Sequence, residues 1–118
     1  MLPATDVILA PAAERELKKL TKDRQKDVLA ALKRLRDGSE TLEIEKIKGH
    51  PSFFRIKAGT EMRVIFHPLT TTRCVVLVIR DRKEAYRGIG GLDGKLQAAL
   101  HRVESDALKM LGIGGAVG

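Results

Sequence analysis

The sequence predicts an α+β domain in which helices pack on one face of a small antiparallel sheet. Two observations carry that prediction. The hydrophobic period changes from about 3.6 residues in the N-terminal third to about 2 from Phe53 onward. The order of elements, one short strand, two helices and then three strands, is the second.

Each element has its own signal. Asp6-Val7-Ile8-Leu9 is short and apolar, and Pro11 suits the first position of a helix. A strand is therefore expected to lead at once into a helix over Ala12 to Leu20. Thr21 can cap a second helix from Lys22 to Asp37, with Val28, Leu32 and Leu35 on one face and Gly38 as its stop. Glu14, Glu16, Asp23 and Asp27 interleave with nine Lys/Arg between Arg15 and Arg36, as on solvated outer helix faces. Ser39 to Ile47 reads as a connection with a little extended structure.

From there the pattern alternates. Phe54, Ile56 and Ala58 alternate with Phe53, Arg55 and Lys57, and Met62, Val64 and Phe66 with Glu61, Arg63, Ile65 and His67. Ala58-Gly59-Thr60 is read as a three-residue hairpin loop. That register pairs Lys57 with Glu61, Ile56 with Met62, Arg55 with Arg63 and Phe54 with Val64. Two arginines opposed on one face repel by about 0.2 to 1 kcal/mol, so the expected placement asks for a compensating anion such as a phosphate. A break over Pro68 to Thr72 precedes Cys74 to Ile79, apolar on both faces and expected as a central strand. Gly88, Gly90, Gly91 and Gly94 lead into an amphipathic helix over Lys95 to Leu111, with Leu96, Leu100, Val103, Ala107 and Leu111 as its stripe. Gly112 to Gly118 is expected to be disordered.

At 118 residues, 43% hydrophobic and 31% charged, the chain has the size and balance of one globular domain. Residues 1–87 are expected to form that domain, with 88–118 as a Gly-rich passage, a helix that packs on the domain or on a second copy, and a tail. No segment approaches a membrane span and the N-terminus carries no secretory pattern, so the cytoplasm is the expected compartment. The lone Cys74 lies in an apolar run and is expected to be a buried structural thiol.

The net charge is +7, and both flanks are neutral: residues 1–45 hold nine Lys/Arg and nine Asp/Glu, and 88–118 hold three of each. The excess lies in Lys46, Lys48, Arg55, Lys57, Arg63, Arg73, Arg80, Arg82, Lys83 and Arg87, against Glu61, Asp81 and Glu84. Such a segment asks for an anionic partner, of which nucleic acid is the commonest. Those acidic residues have no Mg²⁺ spacing, and His50, His67 and His101 match no zinc pattern, so no metal or other cofactor is expected. RNA carries its own nucleophile in the 2′-hydroxyl, so a protein cutting it needs a base, an acid and cations around the phosphoryl oxygens. Tyr86, the only tyrosine of a chain without tryptophan, sits among cations. The supply of aromatic side chains is too thin for a dedicated single-strand stacking platform.

Four segments stand in order: Pro11-Ala12-Ala13-Glu14-Arg15-Glu16-Leu17-Lys18-Lys19-Leu20; Ile47-Lys48-Gly49-His50-Pro51 with Phe54-Arg55-Ile56-Lys57; Met62-Arg63-Val64-Ile65-Phe66; and Arg82-Lys83-Glu84-Ala85-Tyr86-Arg87. Together they resemble the RelE/ParE toxin superfamily. The likeness covers residues 5–87. It implies a twisted antiparallel sheet packed by an N-terminal helical hairpin. It also implies a toxin held by a cognate antitoxin: RelE-type members cleave mRNA at the ribosome without a metal, whereas ParE-type members poison DNA gyrase and lack the basic catalytic set. By resemblance the catalytic positions fall on Arg55, Lys57, Arg63, Arg82 and Tyr86, with Lys46, Lys48, Arg80, Lys83 and Arg87 as further RNA-binding cations. Arg55 stands where the best-studied type has lysine, and Asp81 where relatives often have histidine. Arg80 competes with Arg82 for its role. A metal-independent endoribonuclease is thus the leading expectation, and a gyrase poison the alternative.

Overall fold

The computed structural model describes residues 6–110. The expected tail from Gly112 to Gly118, and Leu111 at the end of the stripe, lie outside the described residues.

The elements follow the local signals closely. Strand β1 is Asp6–Leu9, helix α1 Pro11–Lys18 and helix α2 Lys22–Asp37. Pro11 opens α1, and the Thr21 side chain accepts the Arg24 N–H at the start of α2. Gly38, at φ 68°, ends α2 in the left-handed conformation that favours glycine. Strands β2 (Glu45–Ile47), β3 (His50–Ala58), β4 (Met62–Thr70) and β5 (Arg73–Asp81) follow. A 3₁₀ turn over Ile89–Gly91 then leads into helix α3, Leu92–Met110, which starts three residues before the expected Lys95.

The sheet has five strands in the order β1-β5-β4-β3-β2. The class is α+β as expected, with one refinement: β1 runs parallel to β5, so the sheet is mixed rather than purely antiparallel. No hairpin joins that pair, so no turn forces them antiparallel. The helical hairpin carries the chain from one sheet edge to the other, and successive hairpins bring it back. Strand β4 also runs through Pro68, where the sequence suggested a break. A register shift between Pro68 and Thr70 absorbs the missing N–H.

The β3–β4 register is the main correction. Lys57 pairs with Arg63, Ile56 with Val64, Arg55 with Ile65 and Phe54 with Phe66. The loop is therefore Gly59-Thr60-Glu61, and Arg55 does not oppose Arg63. A shift of two residues leaves every side chain on its expected face, so hydrophobic patterning cannot distinguish the two registers. In that loop Gly59, at φ 65°, lies close against α2: an added Cβ would fall 2.4 Å from Asp27 Oδ2.

One core joins the layers. Val28, Ala31, Leu32 and Leu35 of α2 are buried with Ile56, Met62, Val64 and Phe66 of the sheet, and Phe54 stacks on Phe66 at 5.9 Å. Phe53 and Ile65 are buried too, although they share the face that carries Arg55 and Arg63. That face therefore has an apolar floor under its cations. Cys74 is buried, and burial pushes its thiol up to about 11, as suits a structural residue. Leu92 and Ala99 of α3 join the core, and Arg102 Nη1 lies 3.0 Å from Glu14 Oε2 of α1. The last helix thus packs on the domain. None of the described helices is long and apolar enough to cross a membrane.

Candidate functional site

The open face of the sheet is built from β2, β3, β4 and the turn that leaves β5. Asp81 organises that turn. Its side chain accepts the Lys83 N–H at 2.8 Å, and its carbonyl accepts the N–H groups of Glu84 and Ala85, each at 2.9 Å. Arg24 of α2 reaches the same carboxylate at 3.7 Å. Where the resemblance leads one to expect histidine, the chain thus has a turn-forming carboxylate. Ala85, buried, pins the turn, and Tyr86 next to it is 36% exposed.

Tyr86 comes down beside Arg55. The Arg55 guanidinium donates a hydrogen bond to the Tyr86 hydroxyl, and its central carbon lies 5.5 Å from the ring centre. On its other side Arg55 binds Glu45, its cross-strand partner on β2, with Nε 2.8 Å from Oε2. The two contacts, Tyr86 foremost and then Glu45, raise the guanidinium above its ordinary pKa. Arg55 also holds the Glu45 carboxyl below its usual range, chiefly through the hydrogen bond, with smaller help from the charges of Lys57 and Arg63. Lys57 and Arg63 therefore act electrostatically on the same cluster.

Beside it opens a cleft of about 390 Å³ lined by Lys46, Ile47, Lys48, Arg55, Tyr86 and Ile89. The two isoleucines supply apolar wall, the lysines a basic rim and Tyr86 a hydroxyl. Four of the residues expected from the sequence, Arg55, Tyr86, Lys46 and Lys48, thus meet at one opening.

The others are spread around it. Lys57, Arg63 and Arg80 form a cross-strand row on β3, β4 and β5, and Arg63 bonds the carbonyls of Met62 at 2.8 Å and Thr60 at 3.3 Å. Arg80 turns aside to α1, where Glu16 binds its Nε, and it donates to the Arg87 carbonyl at 3.2 Å. Glu16 also accepts the Ile79 N–H at 3.3 Å, beyond the point where β1 stops pairing with β5. Arg82 points to the hairpin loop, 3.7 Å from Glu61, and Arg87 pairs with Glu84 at 3.2 Å. Lys83 is exposed. His67 is engaged with the Ser52 carbonyl at 2.7 Å and packs 5.7 Å from Phe53. It lies four residues along β4 from Arg63, about 13 Å at strand spacing.

Glu45 is the residue that sequence reasoning missed. It falls in the stretch read as a connection, and only the short pairing of β2 with β3 sets it opposite Arg55. Among the described residues no group of three or more His, Cys, Asp or Glu side chains could hold a metal ion.

No family model matches the chain, and no curated protein matches it. Solved structures do. A chain of the RelB–RelE antitoxin–toxin complex from Methanococcus jannaschii aligns with TM-score 0.56 and 20% identity over 68% of this chain and 95% of that one. YoeB from Staphylococcus aureus, solved as a dimer, aligns with TM-score 0.54 and 18% identity over 65% and 95%. A mutant of the Escherichia coli toxin RelE in the free state aligns with TM-score 0.57 and 17% identity over 85% and 98%. Likeness at these identities establishes the fold, and the fold is that of the RelE-like toxins.

Proposed function

We propose that this chain, with its RelE-like toxin fold, is the toxin of a type II toxin–antitoxin pair and an endoribonuclease that cuts mRNA, with the ribosome as the place of cutting. The observation that carries the reading is the Arg55–Tyr86 contact at the mouth of a basic cleft. A phenol hydroxyl held by a cation is fixed in place at that mouth, as a group that carries a proton to or from a bound substrate must be. The reaction this arrangement suits is attack of the RNA 2′-oxygen on the adjacent phosphorus. The 2′-hydroxyl proton is taken up, the bond to the 5′-oxygen breaks, and that oxygen leaves with a proton. The products are a 2′,3′-cyclic phosphate and a 5′-hydroxyl.

The residues divide the work by position. Tyr86, bonded by Arg55, and Lys57 serve proton transfer. Arg63, between Lys57 and Arg80 in the sheet row, is the cation for charge building on the phosphoryl oxygens. Arg82 stands at the hairpin end for the leaving side, and Lys46 and Lys48 hold flanking phosphates. Glu45 keeps Arg55 oriented and adds a proton acceptor to the set.

One observation favours the alternative of a gyrase-type toxin. Arg55, Arg80, Arg82 and Arg87 are each already in an ion pair, which leaves less charge free for phosphate. The two readings part in one experiment. Inducing the chain alone and sequencing RNA 5′ ends should reveal new cuts within translated messages, with 5′-hydroxyl termini and no rise in double-strand DNA breaks. DNA breaks without new RNA ends would overturn the nuclease reading.

A further inference from the structure

Two of the three histidines in the chain come together on the open face of the sheet, beside the cleft but outside it. The strand register puts them there. Ile47 lines the cleft and pairs with His50, while Arg55, also in the cleft, pairs with Ile65 on β4. Two residues further along the same face, about 7 Å at strand spacing, stand Phe53 on β3 and His67 on β4. Phe53 is 4% exposed and packs against both imidazoles, 6.3 Å from the His50 ring and 5.7 Å from the His67 ring. A count of Phe, Tyr and Trp misses this surface, because histidine stacks on bases too.

The hydrogen bond of His67 gives the patch its chemical sense. A carbonyl oxygen can only accept, so in the 2.7 Å contact with the Ser52 carbonyl the proton belongs to His67 Nδ1. In the neutral ring Nε2 is then an acceptor, and it has no partner among the described residues. Both imidazoles are half-buried, held by their neighbours and still reachable. Gly49, at φ 81°, turns the chain from Lys48 on the cleft rim into His50, so the basic rim and the rings are continuous. The roles given above set the polarity. Arg82 stands at the hairpin end for the leaving side, and the imidazoles lie toward the other end of β3 and β4, where the nucleotide before the cut would extend.

We propose, resting on the nuclease reading, that His50, Phe53 and His67 form the base subsite for the nucleotide that supplies the attacking 2′-oxygen. The base stacks on the imidazoles, and His67 Nε2 accepts a hydrogen bond from its exocyclic amine. Cytosine presents an amine where uracil presents a carbonyl oxygen, whose lone pairs would face the lone pair of Nε2. The subsite therefore selects an amino-bearing base over uracil at that position. Arg55 and Tyr86 serve the reaction, and the histidines decide where along the message it happens.

The test uses the full chain at about pH 8, above the ordinary titration range of an imidazole. Ribosome-bound messages built around one mapped cut differ in the base before it, which is cytosine, uracil or a cytosine lacking its 4-amino group. Single-turnover cleavage of the cytosine message should be about tenfold faster than that of the other two. His67→Phe keeps a ring against Phe53 and removes Nε2, so it should cut all three at one rate. His50→Ala removes stacking surface and should slow all three by about tenfold with their order kept. Binding is read separately by NMR with 2′-deoxy trinucleotides, which lack the nucleophile: the cytosine form should shift Phe53 and His67 and bind more tightly than the uracil form. A parent that cuts cytosine and uracil messages equally removes the subsite and leaves the nuclease. So does a His67→Phe variant that keeps the parental order. A parent that binds the cytosine trinucleotide at His67 but cuts no RNA removes the nuclease reading and leaves a base-binding patch, and one that does neither removes both.

Discussion

Arg55 donates to the hydroxyl of Tyr86, a residue 31 positions away in the chain, while its Nε holds Glu45 from the other side. The guanidinium is thus the joint between the sheet and the turn that carries the phenol. If the two side chains act as a unit, their losses will not add. Tyr86→Phe, which removes one oxygen and little packing, should slow single-turnover RNA cleavage by about 10²-fold or more and weaken binding far less. Arg55→Ala in the Tyr86→Phe background should cost much less than Arg55→Ala alone. Full additivity in that cycle would mean that the contact has no part in the chemistry.

Glu45 occupies a position on Arg55 that an RNA phosphate would otherwise compete for. Glu45→Gln should therefore tighten RNA binding by several-fold at low salt, with the gain fading as salt rises. The pH dependence follows from the direction of the shift. The folded carboxyl lies below its ordinary value of 4.5, so the pairing is fully present above that value and is lost only as pH falls through the lower, folded one. From about pH 5 upward the parent should show no change in binding from this group. Binding that tightens in the parent between pH 7 and pH 5 would point to another titrating residue.

Arg63 sits between Lys57 and Arg80 in a row of like charges, where a cross-strand repulsion amounts to about 0.2 to 1 kcal/mol. Removing it should relieve that repulsion and at the same time remove a cation from the phosphoryl oxygens. Arg63→Ala is expected to unfold at a denaturant midpoint close to the parent's, the relieved repulsion offsetting the lost bonds to the Met62 and Thr60 carbonyls, while cleaving about 10²-fold more slowly. A fully toxic Arg63→Ala would shift the balance toward the gyrase reading.

Arg80 should behave in the opposite way. Its bonds to Glu16 and to the Arg87 carbonyl tie β5, α1 and the turn together. Arg80→Ala is expected to destabilise the fold by about 1 kcal/mol, the scale of a part-exposed charged contact, with a small effect on RNA affinity measured at a temperature where the variant is folded. A large affinity loss at unchanged stability would return Arg80 to the RNA-binding set.

Helix α3 buries Leu92 and Ala99 in the same core as the sheet. Burying one leucine is worth about 1.5–3 kcal/mol, so truncation after Arg87 should lower the thermal midpoint and expose an apolar strip on α1. The readouts are calorimetry and light scattering of the purified domain. A truncated chain that matches the parent in both would show that α3 is dispensable to the fold.

The sequence by itself determined the helices, most of the strands and the two faces of the sheet, though not β2 or the full length of β4. Thr21 and Gly38 bound α2 because capping and the left-handed conformation are local chemistry. Alternation put Arg55, Lys57 and Arg63 on one face because strand side chains repeat every two residues. Confinement of the charge to residues 46–87 was likewise a property of the chain alone. What pairs with what was left to the tertiary structure. A two-residue shift preserves face and hydrophobic pattern, so the true register, in which Lys57 rather than Arg55 opposes Arg63, is visible only in the folded sheet. Glu45 on Arg55, Glu16 on Arg80, and β1 lying parallel to β5 are all contacts between segments far apart in sequence. Such contacts depend on how whole elements dock, and no local period, cap or charge count carries that information.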